Sequence, residues 1–480
     1  MDMSGGFDEY GMPGGPEAAP GRTTLGALRG AGYRYHSVRT EIRHNLVARL
    51  SMGRPTVPDL IGFEATVLPE LERSLFALHD VIVIGDRGQG KSTLLRGLRE
   101  LLDVWAPVIE GSVLHEHPMN PQSRWAEALI AEHGDDTPVD WVHRDTRLAE
   151  LRATAATTVT DLLGDHDPAA GHGLLPAMNR GVIIIDDLGA LAPRVQSALA
   201  GILSGRELTV AEDASRLPLD VLVVASMGRD DYQEDGRLIA ALRDRFAGTV
   251  TTHYPPTLED EIEVLRRRSV IGPLDSNLFI PRIPDYLVEI VARFARAVRD
   301  TTTFDPEHAG SVRFGIAALE LLGGSAARRA SLCQEDAIAR PSDLATLLTG
   351  ANLRLHAPDG DLEQERSLLE ELLDDAIAQT CRSRLTDADL TIVGARIDAG
   401  VTVESGPDTG SRDLLDQLGT VPRFSHLLKQ LGVNDGAETP GLAAGAVEFA
   451  LEGLAARHQL VRQRTGTMND YRAASQAGTP

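Results

Sequence analysis

Nine consecutive residues, Gly85-Asp86-Arg87-Gly88-Gln89-Gly90-Lys91-Ser92-Thr93, carry the clearest chemistry in this 480-residue chain. Glycines at this spacing let backbone N–H groups wrap a chain of phosphates. A helix beginning where the run ends points its positive end at the same anion. Lys91 is then placed to bridge the β- and γ-phosphates of a nucleoside triphosphate, and the Ser92 hydroxyl to hold Mg²⁺. The flanks agree: Val81-Ile82-Val83-Ile84 precedes the run, and Leu94, Leu95, Leu98, Leu101 and Leu102 follow at helical spacing. Strand, glycine loop and helix in that order predict a site for a nucleoside triphosphate with its magnesium.

A second stretch supplies an acid. Gly181-Val182-Ile183-Ile184-Ile185-Asp186-Asp187 reads as a buried parallel strand ending in carboxylates, at the edge where such sheets bind their ligands. Asp186 is expected beside the glycine loop, holding Mg²⁺ directly or through water, so the predicted metal ligands are Ser92 and Asp186. His115-Glu116-His117 has ligand-type residues, but i, i+2 spacing on a loop with no cysteine nearby reads as a solvated loop.

The elements that must position these residues follow from periodicity. Leu219 to Ala225 and Thr249 to His253 add two strands. The alternation of strands and helices from Val81 to Tyr254 implies a mainly parallel sheet covered on both faces. Glu110 to Arg152 reads as irregular apart from a helix over Trp125 to Ala131. Beyond Pro256 the strand signal fades. Glu259–Arg268, Tyr286–Val298, Val312–Leu322, Ser342–Leu348 and an acid-rich stretch at Asp359–Asp375 read as helices. Asp398 to Ser411 reads as a linker, and Val421 to Leu460 as helix again.

Composition sets limits. A net charge of −23 repels nucleic acid and anionic membrane from the molecule as a whole, so neither is expected as a partner. Arg29 to Arg54 holds six arginines against the single acid Glu41, which reads as a solvated helix face rather than a nucleic-acid arm. Two cysteines, Cys333 and Cys381, argue against a disulfide framework or a zinc site. No apolar run approaches the ~18 residues of a membrane span, and no signal-peptide core is evident, so the expected location is the cytoplasm.

Together these pieces resemble AAA+ ATPases of the MoxR and magnesium-chelatase I-subunit type. The resemblance rests on the Ile61-Gly62 region, the glycine loop, Asp186-Asp187, Asp244-Arg245-Phe246 and Ser311-Val312-Arg313. It covers about Pro58 to Leu322, and more loosely the helical region beyond. Thr160 to Pro168 is similar to the family's Leu-Ile-Gly-Asp-x-Asp-Pro element. The fold class implied is α/β, a parallel-sheet P-loop AAA+ domain followed by an all-helical lid and a C-terminal helical region. The divisions expected are a disordered tail at 1–22, an N-terminal helical segment at 23–55, the α/β domain at 56–256, the lid at 257–355, the C-terminal region at 356–464 and a second tail at 465–480. The resemblance also implies roles: Arg245 as an arginine finger reaching a neighbouring subunit, with Arg243 as its rival, and Arg313 as the arginine of the lid. It implies a hexameric ring, ATP and Mg²⁺ as cofactors, and a separate von Willebrand factor A domain partner.

Three departures bear on activity. The second acid of the strand, a glutamate that orients water in the family, is Asp187 here. The asparagine expected after the third strand aligns with Gly228, with Ser226 near enough to substitute in part. Only Ala169 to His172 stands where the family inserts a hairpin. A carboxylate drawn back by about 1 Å can cost on the order of 10²-fold in rate. The expectation is therefore firm binding of ATP with slow hydrolysis, and the rival expectation is a subunit that binds without hydrolysing.

Overall fold

Val81–Ile84 (β1) is buried along its whole length in the computed structural model, as a strand covered on both faces should be. Four others pair with it or its neighbours: Leu148–Arg152 (β2), Gly181–Asp186 (β3), Val221–Met227 (β4) and Gly248–Thr251 (β5). All pairings are parallel and the order is β5-β1-β4-β3-β2. The structure describes residues 19–164, 173–209, 216–234, 236–271, 280–301, 310–348, 362–419, 427–428, 431 and 439–474. They divide into two units, Met1–His253 and Tyr254–Pro480.

Successive strand residues point to opposite faces, and the first unit accordingly has two cores. On one face Val81, Val83, Ile184 and Val224 pack with Ile42 and Leu46 of Val38–Ser51 (α1), Leu68 and Leu71 of Val67–Phe76 (α2), and Leu94 and Leu95 of Lys91–Gly97 (α3). On the other, Ile82, Ile183, Ile185 and Val223 pack with Val195, Leu199 and Leu203 of Pro193–Gly205 (α4). Deleting a buried leucine from either layer would cost ~2–5 kcal/mol.

α1 is thus part of the sheet domain; Arg29, Arg34 and Arg54 are exposed, but Arg39 and Arg49 do not belong to the solvated face expected of the stretch. Arg39 donates to the buried carboxylate of Asp80 and to the Leu78 carbonyl. Arg49 pairs with Glu100 at 3.2 Å. Glu41, the lone acid, is buried against Arg147 at 2.6 and 2.7 Å. The stretch expected to be irregular before Arg152 contains β2, the edge strand beside β3. It also contributes Pro138–His143, which pairs with Trp105–Ile109 and Thr23–Thr24 in a small antiparallel sheet. Most of the expected tail at 1–22, residues 165–168 of the element at 160–168, and Ala169 to His172 lie outside the described residues; Val159–Leu163 forms a short helix started by a Thr158–Asp161 capping box.

The first unit also holds Arg229–Gln233 (α5) and Ala240–Arg243 (α6), and the second the helices Leu258–Arg268 (α7), Asp285–Asp300 (α8), Val312–Cys333 (α9), Leu362–Arg384 (α10), Asp387–Asp398 (α11), Ser411–Leu418 (α12) and Pro440–Ala456 (α13). Residues 341–348 form a 3₁₀ turn. One core runs through the unit, joining Ile290 and Phe294 of α8 to Leu373 and Ile377 of α10 and Val447 and Phe449 of α13. The expected lid and C-terminal region therefore share an interior.

The C-terminal region is not wholly helical. Val403–Ser405 (β6) lies in the stretch expected to be a linker, Leu460–Thr465 (β7) closes the region expected to be helical, and Met468–Ala473 (β8) lies in the expected tail. They pair antiparallel in the order β6-β8-β7. Charged and polar residues of the hairpin are paired on the folded unit: Arg462 pairs with Glu452 at 2.6 Å and with Asp374, and Tyr471 donates to Glu452 at 2.7 Å. No helix among the described residues is long and apolar enough to cross a membrane.

Candidate functional site

The loop after β1 is built as its glycines require. Gly88 and Gly90 stand at φ +78° and +77°, in the left-handed region that a side chain rarely adopts. Gly85 is needed for another reason: a Cβ there would lie 2.0 Å from Thr252 Oγ1 and 2.5 Å from Gln89 Oε1. The loop ends at Gly90, the residue capping α3, so α3 starts at Lys91 and directs its free N–H groups into the turn. Lys91 Nζ donates to the carbonyls of Gly85 at 2.5 Å and Asp86 at 2.8 Å. The ammonium is thereby folded over the concavity its own loop makes. Ser92 and Thr93 follow on the first turn, half-buried, and Arg87 is exposed.

Gln89, which motif spacing leaves unspecified, is the loop's strut. It is 4% exposed. Its Oε1 accepts from the Asp86 N–H at 2.9 Å and the Thr252 hydroxyl at 3.0 Å, while Nε2 donates to Asp86 Oδ2 at 2.8 Å. Thr252, just beyond β5, thus ties the loop to the neighbouring strand. No sequence signal distinguishes such a pair separated by so many residues.

The sheet register brings the acid to the same edge. Ile84 of β1 is opposite Met227 of β4, and Ile185 of β3 is opposite Ala225. The glycine loop and Asp186 therefore leave the C-terminal edge on either side of β4, the position an α/β sheet gives to its ligand. Ser226 of β4 is fully buried between them; its hydroxyl donates to Asp186 and accepts from the Asp187 N–H at 3.3 Å. Asp186 is half-buried and Asp187 exposed. Asp187 stands at φ +59°, ψ +49°, where aspartate is one of the few side-chain residues found several-fold enriched. The backbone itself favours Asp over Glu at this position.

Arg229–Gln233 (α5) follows β4, capped by Gly228 at φ −64°, ψ 153°. A side chain is sterically open to Gly228 if Asp231 moves, since a Cβ would meet Asp231 Oδ2 at 2.8 Å. Ala240–Arg243 (α6) leads to Asp244-Arg245-Phe246. The two candidate fingers differ. Arg243 donates to the Tyr232 carbonyl at 2.9 Å and lies over the Tyr232 ring at 4.8 Å. Arg245 is exposed, and its side chain has no hydrogen bond or ion pair among the described residues. Arg313 belongs to the second unit, exposed on the first turn of α9.

The histidine pair does not form a metal site. Glu116 accepts from the N–H groups of Gln122 and Ser123, at 2.8 and 2.7 Å, and is buried. His117 Nδ1 accepts from the Met119 N–H at 3.0 Å, and its ring stacks on Tyr33. Burial, reinforced by Arg180, pushes His117 down to about 2, so it is neutral. No group of three or more His, Cys, Asp or Glu among the described residues is arranged to hold a metal ion. Ser92 and Asp186 instead fit the sparse protein contribution that Mg²⁺ takes beside a triphosphate.

No family model matches the chain. It is 31% identical over 216 residues to the magnesium-chelatase 67 kDa subunit of Heliobacterium mobile, covering 42% of this chain and 31% of that protein. It is 30% identical over 190 residues to the magnesium-chelatase 38 kDa subunit of Rhodobacter capsulatus, covering 39% of this chain and 53% of that protein. The chain thus spans about a third to a half of the length of these relatives. A solved chain from the complex between subunits BchI and BchD of magnesium chelatase aligns with 66% of this chain and 96% of its own, at 23% identity and a TM-score of 0.33. At that score the fold rests on the strand order given above.

Proposed function

We propose, on the premise that the chain is magnesium-chelatase I-like and AAA+ in kind, that it binds Mg-ATP at the loop after β1. Binding and slow hydrolysis would then drive the remodelling of a partner protein or assist the insertion of a metal. The observation that carries this is the juxtaposition of two elements at one sheet edge: the Gly85–Ser92 loop with Lys91 folded over it, and Asp186 one strand away held by Ser226.

The residues present fit the nucleotide. Gly85, Gly88 and Gly90 shape a turn whose N–H groups face an anion, and Lys91 needs only to exchange two loop carbonyls for phosphate oxygens. Ser92 and Asp186 would hold Mg²⁺, and Mg-ATP when bound supplies the transferable phosphoryl group. Phosphoryl transfer is mostly positioning and charge neutralisation. Arg245 is the better finger of the two, because Arg243 is already committed to Tyr232. A finger acting in trans requires a ring of subunits, and Arg313 keeps the lid-arginine role that the resemblance implies. A separate von Willebrand factor A domain protein is the partner class and the cytoplasm the location.

A second reading, a nucleotide-gated subunit that does not hydrolyse, is favoured by Asp187 and Gly228. Steady-state phosphate release separates the two. Under the first reading the wild type turns over slowly, and the pair Asp187→Glu, Gly228→Asn raises turnover at least about tenfold, recovering part of the factor that a misplacement of about 1 Å costs. No release from either protein, with ATP still bound, establishes the second reading. Failure of the wild type to bind labelled ATP with magnesium overturns both.

A further inference from the structure

Gly228 leaves the end of β4 without a side chain, but the next residue reaches the nucleotide loop. Arg229 begins α5, and its Nε lies 3.8 Å from Asp86 Oδ1. The approach is fixed by the sheet. Ile84 and Met227 are opposite each other, and the Gly85 N–H donates to the Met227 carbonyl at 3.2 Å. Asp86 and Arg229 are each two residues past that matched pair. The arginine therefore stands on the side of the loop that faces β4 and, beyond it, Asp186.

The present partner holds Arg229 weakly. Both side chains are more than two-fifths exposed, at 45% and 42%, and the separation is longer than a hydrogen bond. An ion pair of this kind contributes ~0–1 kcal/mol. Asp86 is moreover already occupied, since its Oδ2 accepts from Gln89. A polyphosphate entering the loop brings several charges and oxygen pairs that match the guanidinium fork. Electrostatics then favours exchange of the carboxylate for phosphate.

We infer that Arg229 is a nucleotide-sensing residue acting in cis, pairing with Asp86 without nucleotide and moving to the terminal phosphate when a triphosphate binds. It takes over, with a cation, the position that Gly228 leaves vacant. Its charge would favour ATP over ADP, because Ser92 and Asp186 would hold the cation and with it the terminal phosphate on the β4 side of the loop. Lys91 and the loop N–H groups would bind the phosphates the two nucleotides share. The assignment rests on the Mg-ATP reading above.

Equilibrium binding of a fluorescent ATP and the matching ADP to the full chain tests it, with magnesium present, for the wild type, Arg229→Ala, Arg229→Lys and Asp86→Asn. Arg229→Ala is expected to weaken ATP about tenfold, the order of one charge-assisted contact, and ADP less than about twofold. Arg229→Lys should restore part of the ATP preference. Asp86→Asn, which removes the ion pair and keeps the arginine, should retain the ATP preference whatever its effect on the two affinities. Equal losses for ATP and ADP in Arg229→Ala, or no loss in either, overturn the assignment and leave the Mg-ATP reading intact. A wild type that takes up neither nucleotide overturns both.

Discussion

The Ser226 hydroxyl donates to the Asp186 carboxylate from a fully buried position on the strand between the glycine loop and the acid. The same oxygen accepts the Asp187 N–H at 3.3 Å, so one side chain fixes both acids. Removing the hydroxyl frees the Asp186 carboxylate to rotate and leaves the Asp187 N–H without its acceptor. A hydrogen bond to a charged group contributes ~1.5–3 kcal/mol. Ser226→Ala is expected to raise the magnesium concentration needed for half-maximal ATP binding by about tenfold. Nucleotide binding measured without magnesium should change little. Magnesium titrations that superimpose for the two proteins would show that Ser226 does not position the acid.

Much of this arrangement was legible in the chain itself, because the signals were local. A β-branched strand, three glycines and a lysine-serine pair fall within Val81 to Ser92, and the second strand ends in its acid. What stayed hidden depends on pairs far apart in sequence. Gln89 with Thr252, and Glu41 with Arg147, are ordinary polar residues until folding buries them together. The strands after Leu148 and Leu460 were obscured by their charges. Glu150 pairs with Arg96, and Arg462 with Glu452 and Asp374, so residues that read as solvent-loving are neutralised in place. The place of Arg229 beside Asp86 comes from strand register, which local sequence does not carry.

Gly85 offers a test of the loop's packing. A methyl group there would overlap the Thr252 hydroxyl and the Gln89 amide oxygen, the two atoms that brace the loop. Overpacking of a fitted site typically costs ~1–3 kcal/mol. Gly85→Ala is expected to lower the Tm by several degrees and to abolish ATP binding. Adding Thr252→Ser to it should recover little of either, because the hydroxyl oxygen remains. Full ATP affinity in Gly85→Ala would show that the loop can open without Gln89.

The two arginines near α6 should separate by assay. Arg243 is held by the Tyr232 carbonyl and ring, so Arg243→Ala is expected to cost ~1–2 kcal/mol of stability, seen as a lower urea midpoint. Arg245 makes no such contact, and Arg245→Ala should leave the midpoint unchanged. If Arg245 acts on the neighbouring subunit's nucleotide, its removal lowers turnover by about 10³-fold or to the detection limit while ATP binding persists. The reverse pattern, with stability lost at Arg245 and turnover lost only at Arg243, would exchange their roles.

Asp103 gives a pH signature independent of nucleotide. It accepts from Asn45 Nδ2 at 2.8 Å, and its N–H donates to Glu41 at 2.8 Å. Burial, with Glu41 alongside, raises its carboxyl from 3.8 to about 7. Between those two values the folded protein keeps a proton that the unfolded chain has released. Folding is therefore penalised as pH rises through that window, and the penalty is complete above about 7. Asp103→Asn retains an acceptor for Asn45 and cannot ionise. Its Tm should exceed that of the wild type by a few degrees at about pH 8, and the advantage should shrink steadily as pH falls towards about 4, because the wild-type carboxyl is then protonated in both states. Titrations shared by the two proteins, including the opposite dependence expected from neutral His117, cancel in the difference. A Tm difference that stays constant across this range would mean that the Asp103 carboxyl titrates normally and that solvent reaches it in the folded state.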